Sequence, residues 1–161
     1  MKSIKRHNIL SVQPWIAFND IWSEDNEFIG LQLLNNGLGP AIIDSLNIFL
    51  KGDKIDNWFS GIYKLNIDNS NDWLTTTYIK GKYALKANSY LNIFGAHYTD
   101  LNIYNKIDQI IEILNSLHDI RIKVYYSTFY GESKIEEYIP VYLDLNRASA
   151  NYELQKSIIR R

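Results

Sequence analysis

Hydrophobic and polar residues alternate over several short segments of this chain, with the period of two that is typical of half-buried β-strands. The alternation is clearest from residue 120 to residue 126, where apolar residues are separated by Arg121, Lys123 and Tyr125. Other segments of strand composition are bounded by turn residues. The predicted strands are 9–18, 28–34, 41–50, 73–79, 82–86, 90–94, 120–126 and 135–145. Because Pro14 lies inside the first and has no N–H to donate, that strand is expected at a sheet edge or a bulge.

Two segments have helical periodicity instead. Ile55, Trp58, Phe59 and Ile62 follow the i, i+3, i+4, i+7 spacing and predict a short amphipathic helix. A longer helix is predicted over 100–117, where apolar residues keep helical spacing through about four turns. Those residues are Ile103, Ile107, Ile110, Ile111, Leu114 and Leu117.

These elements predict a mainly β protein, either an immunoglobulin-like sandwich or a small, partly open β-barrel. The long amphipathic helix is inserted before the last hairpin, and its apolar stripe must lie on a sheet because an isolated helix of this length is marginal. We predict a basic, juxtamembrane-like N-terminus at 1–8, a single β-rich domain at 9–145 and a polar C-terminal tail at 146–161 whose apolar spacing supports a short helix.

The composition excludes several kinds of site. The chain has 161 residues and no cysteine, which rules out thiolate zinc sites, iron–sulfur clusters and cysteine nucleophiles. The formal net charge of −1 argues against a general nucleic-acid coat, which usually has a basic footprint. We find no apolar run of about 18 residues and no signal-peptide pattern, so the chain is expected to be soluble.

The strongest turn signal is the run Asn35-Asn36-Gly37-Leu38-Gly39-Pro40. One reading is a loop that cradles a phosphate, but the run lacks the Lys-Ser/Thr pair of a P-loop and no predicted helix follows it. The sequence favours a connection between strands, in which glycine supplies positive φ and proline fixes the exit.

The remaining titratable residues predict no catalytic or metal site. The histidines at His7, His97 and His118 have no i, i+4 partner, and no serine has the Gly-x-Ser-x-Gly setting. Carboxylates cluster near the last hairpin, where a glycoside-hydrolysing pair is the alternative to a solvated strand face. They are Glu132, Glu136, Glu137 and Asp144. The sequence favours the solvated face, with no catalytic residue, no metal and no cofactor.

Aromatic residues make up 14% of the chain, and one group of them coincides with cations. Rings on an open strand face can stack on a nucleobase or sugar or anchor a protein partner, and neighbouring cations can meet a phosphate. The alternative is ordinary cross-strand aromatic pairing on a half-buried sheet. The candidate ligand-binding residues are Arg121, Lys123, Tyr125, Phe129 and Tyr130.

Three segments, at 7–14, 34–41 and 126–132, resemble segments of a family of small bacterial proteins in sequence, order and separation. Members of that uncharacterised family have an N-terminal membrane anchor and a β-rich soluble domain. The most distinctive of the three contains the Asn-Gly-Leu-Gly-Pro-Ala turn, and the resemblance spans about 5–143. It implies a membrane helix directly before Lys5 but no activity. Basic residues beside a membrane span favour the cytoplasmic side, so we expect the domain to lie in the cytoplasm. A single anchor with a cytoplasmic N-terminus would instead place the domain outside.

The sequence therefore predicts a non-catalytic binding or sensing domain of a membrane-anchored bacterial protein. Its layout is similar to that of membrane effectors in bacterial antiphage defence that hold a cyclic nucleotide in a small β-barrel, which makes a nucleotide-type ligand the leading expectation. The alternative is a protein–protein interaction module, including a homo-oligomer, that acts through an aromatic face or an edge strand. A hydrolase without a recognisable motif is a minor alternative.

Overall fold

The structure, a computed structural model, describes residues 12–21, 27–64, 73–97, 99–100, 107–116 and 119–138. These residues are mainly β, as the sequence predicts, and form nine strands and two short helices. The strands are β1 (Ile16–Ile21), β2 (Phe28–Asn35), β3 (Ala41–Leu50), β4 (Asp53–Ile55), β5 (Thr75–Thr76), β6 (Tyr83–Leu85), β7 (Ser89–His97), β8 (Ile120–Thr128) and β9 (Ser133–Tyr138). The helices are α1 (Trp58–Lys64) and α2 (Ile107–Ser116).

The strands form two antiparallel sheets that share one hydrophobic core. Sheet 1 has the order β1-β2-β7-β5, and sheet 2 has the order β4-β3-β8-β9, with β6 pairing to the first residues of β3. The described strands do not close into a barrel. Buried residues of both sheets belong to the same core cluster, which includes Leu33, Ile43, Phe94 and Ile122.

The alternation predicted for 120–126 is confirmed in β8. Ile120, Ile122 and Val124 are buried, and the residues between them are exposed or half-buried. Strand β2 behaves differently, because seven of its eight residues are buried. It lies inside sheet 1, between β1 and β7.

The turn at 35–40 connects β2 of sheet 1 to β3 of sheet 2, so the interpretation as a strand connection is confirmed. The expected role of its glycines is wrong, because neither Gly37 nor Gly39 has a positive φ. A Cβ on Gly39 would lie 1.7 Å from the Val12 carbonyl oxygen, and one on Gly37 would lie 2.3 Å from the Gln13 carbonyl oxygen. Glycine is required here because the segment before β1 packs directly against the turn.

The start of the first strand and one residue of the short helix also differ from the predictions. Pro14 precedes β1 instead of lying inside it, although β1 is indeed an edge strand. The short helix predicted from Ile55 is confirmed as α1, with Asn57 capping it through a 2.9 Å bond from the Ser60 N–H to Asn57 Oδ1. Trp58 is buried as expected, but Phe59 is 45% exposed.

The long helix predicted over 100–117 is not shown as one element. The structure describes ten helical residues in α2, where Ile110 and Ile113 are buried. Residues 101–106 and 117–118 lie outside the described residues. The same is true of the basic N-terminus at 1–8, of His7 and His118, of 139–145 in the predicted last strand with Asp144, and of the tail at 146–161.

Candidate functional site

The predicted cationic and aromatic residues of β8 lie on the outward face of sheet 2. Arg121 is exposed, and Lys123 and Tyr125 are half-buried, because they alternate with core residues of the same strand. Their neighbours across the sheet include Asn47 of β3, opposite Lys123, and Ile135 of β9, opposite Tyr125. These residues therefore lie on an outward face that is exposed or half-buried.

The Lys123 ammonium on this face is already engaged by its neighbours. Its Nζ lies 3.9 Å from Glu137 Oε1 on β9 and 5.8 Å from the centre of the Phe49 ring on β3. Such a half-exposed pair contributes little to stability, but it reduces the positive charge that a phosphate would meet. Arg121 is the more available cation of the two.

Phe129 and Tyr130 lie in the β8–β9 turn, beyond the end of the strand. Their rings contact each other edge to face at 5.8 Å, and they are 75% and 52% exposed. At about 3.3 Å per strand residue, the span from Arg121 to Phe129 is roughly 26 Å. The five predicted residues therefore form a strip along the sheet and do not converge on one small ligand.

A groove at the other edge of the molecule was missed by the sequence reasoning. It has a volume of about 460 Å³, within the range of roughly 300–1,000 Å³ usual for small-molecule sites. The segment 77–82 forms much of its wall as the chain passes from β5 of sheet 1 to β6 of sheet 2. We call it the lysine–tyrosine groove; it is lined by Thr77, Tyr78, Ile79, Lys80, Lys82, Tyr83 and Leu91.

Backbone contacts hold the start of this segment. The Thr77 N–H donates to the Ile93 carbonyl at 2.9 Å, and the Thr77 hydroxyl donates to the Asn92 carbonyl. Ile79 and Leu91 pack against the core, so they form an apolar floor. The tyrosine rings and lysine ammonium groups of the groove thus line an apolar surface that is held to β7.

The polar residues of the groove are accessible. Tyr78 and Tyr83 are 57% and 42% exposed. Lys80 Nζ lies 5.6 Å from the centre of the Tyr78 ring, and Lys82 Nζ lies 3.8 Å from Asp44 Oδ1. The Lys82 side chain is highly exposed, so this ion pair is easily exchanged for a ligand anion.

The signal that could have revealed the groove is the local run Tyr78-Ile79-Lys80-Gly81-Lys82-Tyr83. The strands predicted at 73–79 and 82–86 include the two ends of this run, so it resembles part of two half-buried strands. The structure has only Thr75–Thr76 and Tyr83–Leu85 as strands there, and Gly81 takes a φ of +78°. A glycine between two lysines and two tyrosines indicates an exposed loop better than a strand.

A third polar cluster lies where the edge strands β1 and β9 face each other. Tyr138 packs on Phe18 with ring centres 5.3 Å apart, and its hydroxyl donates to Asp20 Oδ1 at 2.7 Å. Burial raises the pKa of the Asp20 carboxyl, and the hydrogen bond from Tyr138 opposes that rise. The pKa of Tyr138 is also raised, first by burial and then by the hydrogen bond and charge of Asp20.

Tyr126 of β8 and Glu136 of β9 interact within sheet 2. Burial and, to a lesser degree, the charge of Glu136 raise the pKa of the Tyr126 hydroxyl. Lys134 Nζ lies 3.4 Å from Gln13 Oε1 and ties β9 to the segment before β1. The Tyr138–Asp20 and Lys134–Gln13 contacts therefore tie sheet 2 to β1 and to the segment before it.

Within the described ranges, no three His, Asp or Glu side chains gather in a way that could hold a metal ion. His97 is exposed at the end of β7 and stacks edge to face on Phe28 at 5.2 Å. None of the helices that the structure describes is both long and apolar enough to span a membrane.

Comparisons of this chain with protein-family models, with curated proteins and with solved structures found no match.

Proposed function

We propose that the protein is a non-catalytic binding domain that recognises a small anionic ligand with a planar ring, of the nucleotide type, in the lysine–tyrosine groove. The observation that carries this proposal is the meeting of two exposed tyrosines and two lysines around one groove of about 460 Å³. Tyrosine rings can stack on a base, and ammonium groups can bind a phosphate.

The groove suits a small ligand better than the strip on β8 does. Its polar groups come from one short segment over an apolar floor, whereas the strip extends along the length of β8 and its Lys123 is paired with Glu137. Small-molecule sites are usually concave and mostly apolar, with a few polar groups that set orientation. This comparison moves the proposed ligand site away from the residues that the sequence favoured.

The strand order supports an immunoglobulin-like assignment of the fold. If β1, β2, β3, β5, β7, β8 and β9 are lettered A to G, sheet 1 has the order A-B-E-D and sheet 2 contains G-F-C. The seven lettered strands follow the order of an immunoglobulin sandwich, and β4 and β6 both pair with C as additional strands. Such a fold hosts many functions, so the assignment by itself selects none.

Calorimetric titration with a panel of mononucleotides and cyclic di- and trinucleotides tests the ligand proposal. We expect heat with at least one nucleotide, and about tenfold weaker binding in Lys80→Gln, in Lys82→Gln and in Tyr83→Leu. Lys86→Gln is the matched control, because Lys86 is exposed near the groove but does not line it. It should bind as the unmodified chain does.

Two results would overturn this proposal. One is the absence of heat with every nucleotide at high micromolar concentration. The other is a loss of binding in Arg121→Gln, with the three groove variants unaffected, which would return the site to the outward face of β8.

Docking of a partner protein is a second candidate function, because Phe129 and Tyr130 stand exposed at the tip of the β8–β9 hairpin. Exposed aromatic residues of this kind are common anchors in protein interfaces. Replacing both by serine should abolish capture of such a partner and leave nucleotide binding unchanged, which separates the two functions.

A further inference from the structure

We propose that β9 is a self-association edge, through which two copies of this chain join into one continuous sheet. Strand β9 lies at the end of sheet 2, and among the described residues no strand pairs with its outer side. An unpaired edge offers a row of N–H and C=O groups to another strand. The charge pattern of β9 itself indicates that the strand added at this edge is β9 of a second copy.

The backbone groups that are free for pairing can be identified from the β8–β9 hairpin. The Thr128 N–H donates to the Glu132 carbonyl at 2.8 Å. Because antiparallel residues point their N–H and C=O alternately to either side, Lys134 and Glu136 also turn theirs toward β8. Ser133, Ile135 and Glu137 therefore direct theirs to the open edge.

The side chains alternate with the same period. Lys134 and Glu136 lie opposite the core residues Tyr126 and Val124, so they share the inward face of the sheet. Ile135 lies on the outward face and is 61% exposed. Two copies related by a twofold axis normal to the sheet keep inward residues opposite inward residues.

Among the registers of this kind that are centred on Lys134, Ile135 or Glu136, only the one centred on Ile135 avoids placing like charges opposite each other. If Ile135 pairs with Ile135 of a second copy, Lys134 of each copy stands opposite Glu136 of the other, and Ser133 stands opposite Glu137. A shift of one residue toward the C-terminus places Glu136 opposite Glu136, and the opposite shift places Lys134 opposite Lys134. Opposite charges across an antiparallel pair stabilise it, and like charges destabilise it.

The favoured register also uses every free backbone group of the three edge residues. Ser133, Ile135 and Glu137 of each copy face their counterparts as hydrogen-bonded pairs. The two Lys134–Glu136 pairs then occupy the non-hydrogen-bonded positions, where side chains approach most closely. Backbone pairing, the Ile135 contact and the charges all agree on the same arrangement.

Light scattering coupled to size exclusion, over a range of protein concentrations, tests this arrangement with a charge reversal. We expect a dimer whose Kd rises by at least about tenfold in Lys134→Glu and in Glu136→Lys, because each change creates two like-charge pairs. The double variant K134E/E136K restores opposite charges in swapped positions and should dimerise again. This recovery distinguishes pairing from a general effect on folding.

Two further measurements complete the test. Phe129→Ser is the matched control, since Phe129 is exposed in the adjacent turn but lies outside β9, and it should leave the dimer intact. Amide exchange at Ser133, Ile135 and Glu137 should slow as the protein concentration rises. The proposal is overturned by a monomer at all concentrations, by a dimer that tolerates the single reversals, or by a double variant that does not recover.

Discussion

Asn35 shows how much of this fold depends on one polar side chain. The side chain is fully buried. Its Nδ2 donates to the Gly39 carbonyl at 2.9 Å and to the Leu85 carbonyl at 3.1 Å. Its Oδ1 accepts from the N–H groups of Gly37 and Trp15, each at 3.1 Å. The side chain thus joins the turn, the segment before β1 and strand β6. A buried amide with all these partners is structural, which explains the turn motif without a ligand.

We expect Asn35→Asp to lose about 3 kcal/mol of unfolding free energy at pH 7, because a buried carboxylate would face two carbonyl oxygens. The folded state would favour the protonated acid, so the loss should shrink as the pH falls toward about 4, near the carboxyl's unfolded pKa. Urea denaturation at both pH values measures this. In the control Asn36→Asp, at the exposed neighbouring position, the unfolding free energy should change by no more than about 0.5 kcal/mol. An equal loss at both pH values in Asn35→Asp would show that its carboxylate is not the cause.

Asp20 gives the domain a pH-dependent stability of definite sign. Since the pKa of Asp20 is raised by burial, the folded state binds this proton more tightly than the unfolded state does. The unfolding free energy therefore falls as the pH rises above about 4, until the carboxyl is ionised in both states. In Asp20→Asn that decrease should disappear, so the difference between the variant and the unmodified chain should grow with pH and then level off.

Denaturation of both proteins between about pH 3 and 7 follows that difference. Asp53→Asn, which removes an exposed carboxyl from β4, controls for the change in net charge. In Tyr138→Phe the hydrogen bond that opposes the rise in the pKa of Asp20 is lost, so the decrease in stability should extend to higher pH. A pH-independent difference for Asp20→Asn would show that the carboxyl is not desolvated.

At the scale of elements, α2 depends on its packing. Ten residues are too few for a stable isolated helix in water, but Ile110 and Ile113 are buried in the core. Ile113→Ala should reduce the unfolding free energy by about 2–5 kcal/mol, since it leaves a cavity in a packed interior. Leu38→Ala is the matched control, because Leu38 is 70% exposed. Thermal or urea unfolding measures both variants, and an equal loss of unfolding free energy in the two would refute the dependence of α2 on its packing.

The elements that could be predicted from the sequence are those whose burial follows a simple period. Strand β8 alternates between core and solvent, so its pattern in the sequence matches its two faces. The segment 77–82 has no such period, because it crosses from one sheet to the other and is held by bonds from Thr77 to β7. Phe59 was misplaced for a related reason: helical spacing identifies a stripe but not how far the core extends beneath it.

For the whole molecule, the sequence was sufficient for the mainly β class but not for the arrangement of sites. Pairing between β2 and β7 brings together segments that are far apart in the chain, and no local pattern specifies it. The lysine–tyrosine groove exists because the chain joins the two sheets at that edge, whereas at the other edge the described residues of β1 and β9 contact each other only through side chains such as Tyr138. The proposed ligand site and the proposed self-association edge therefore lie on opposite sides of the sandwich, and both can be occupied together.

The separation of β2 from β7 also affects how the chain folds during synthesis. Asn35 at the end of β2 pairs with Ser89 at the start of β7, so β2 leaves the ribosome long before its central partner. At a synthesis rate of roughly 5–20 residues per second, one edge of this apolar strand stays unpaired for several seconds. Its neighbour β1, which is made first, covers the other side in the meantime. The nascent chain is thus most vulnerable to aggregation in the interval before β7 emerges.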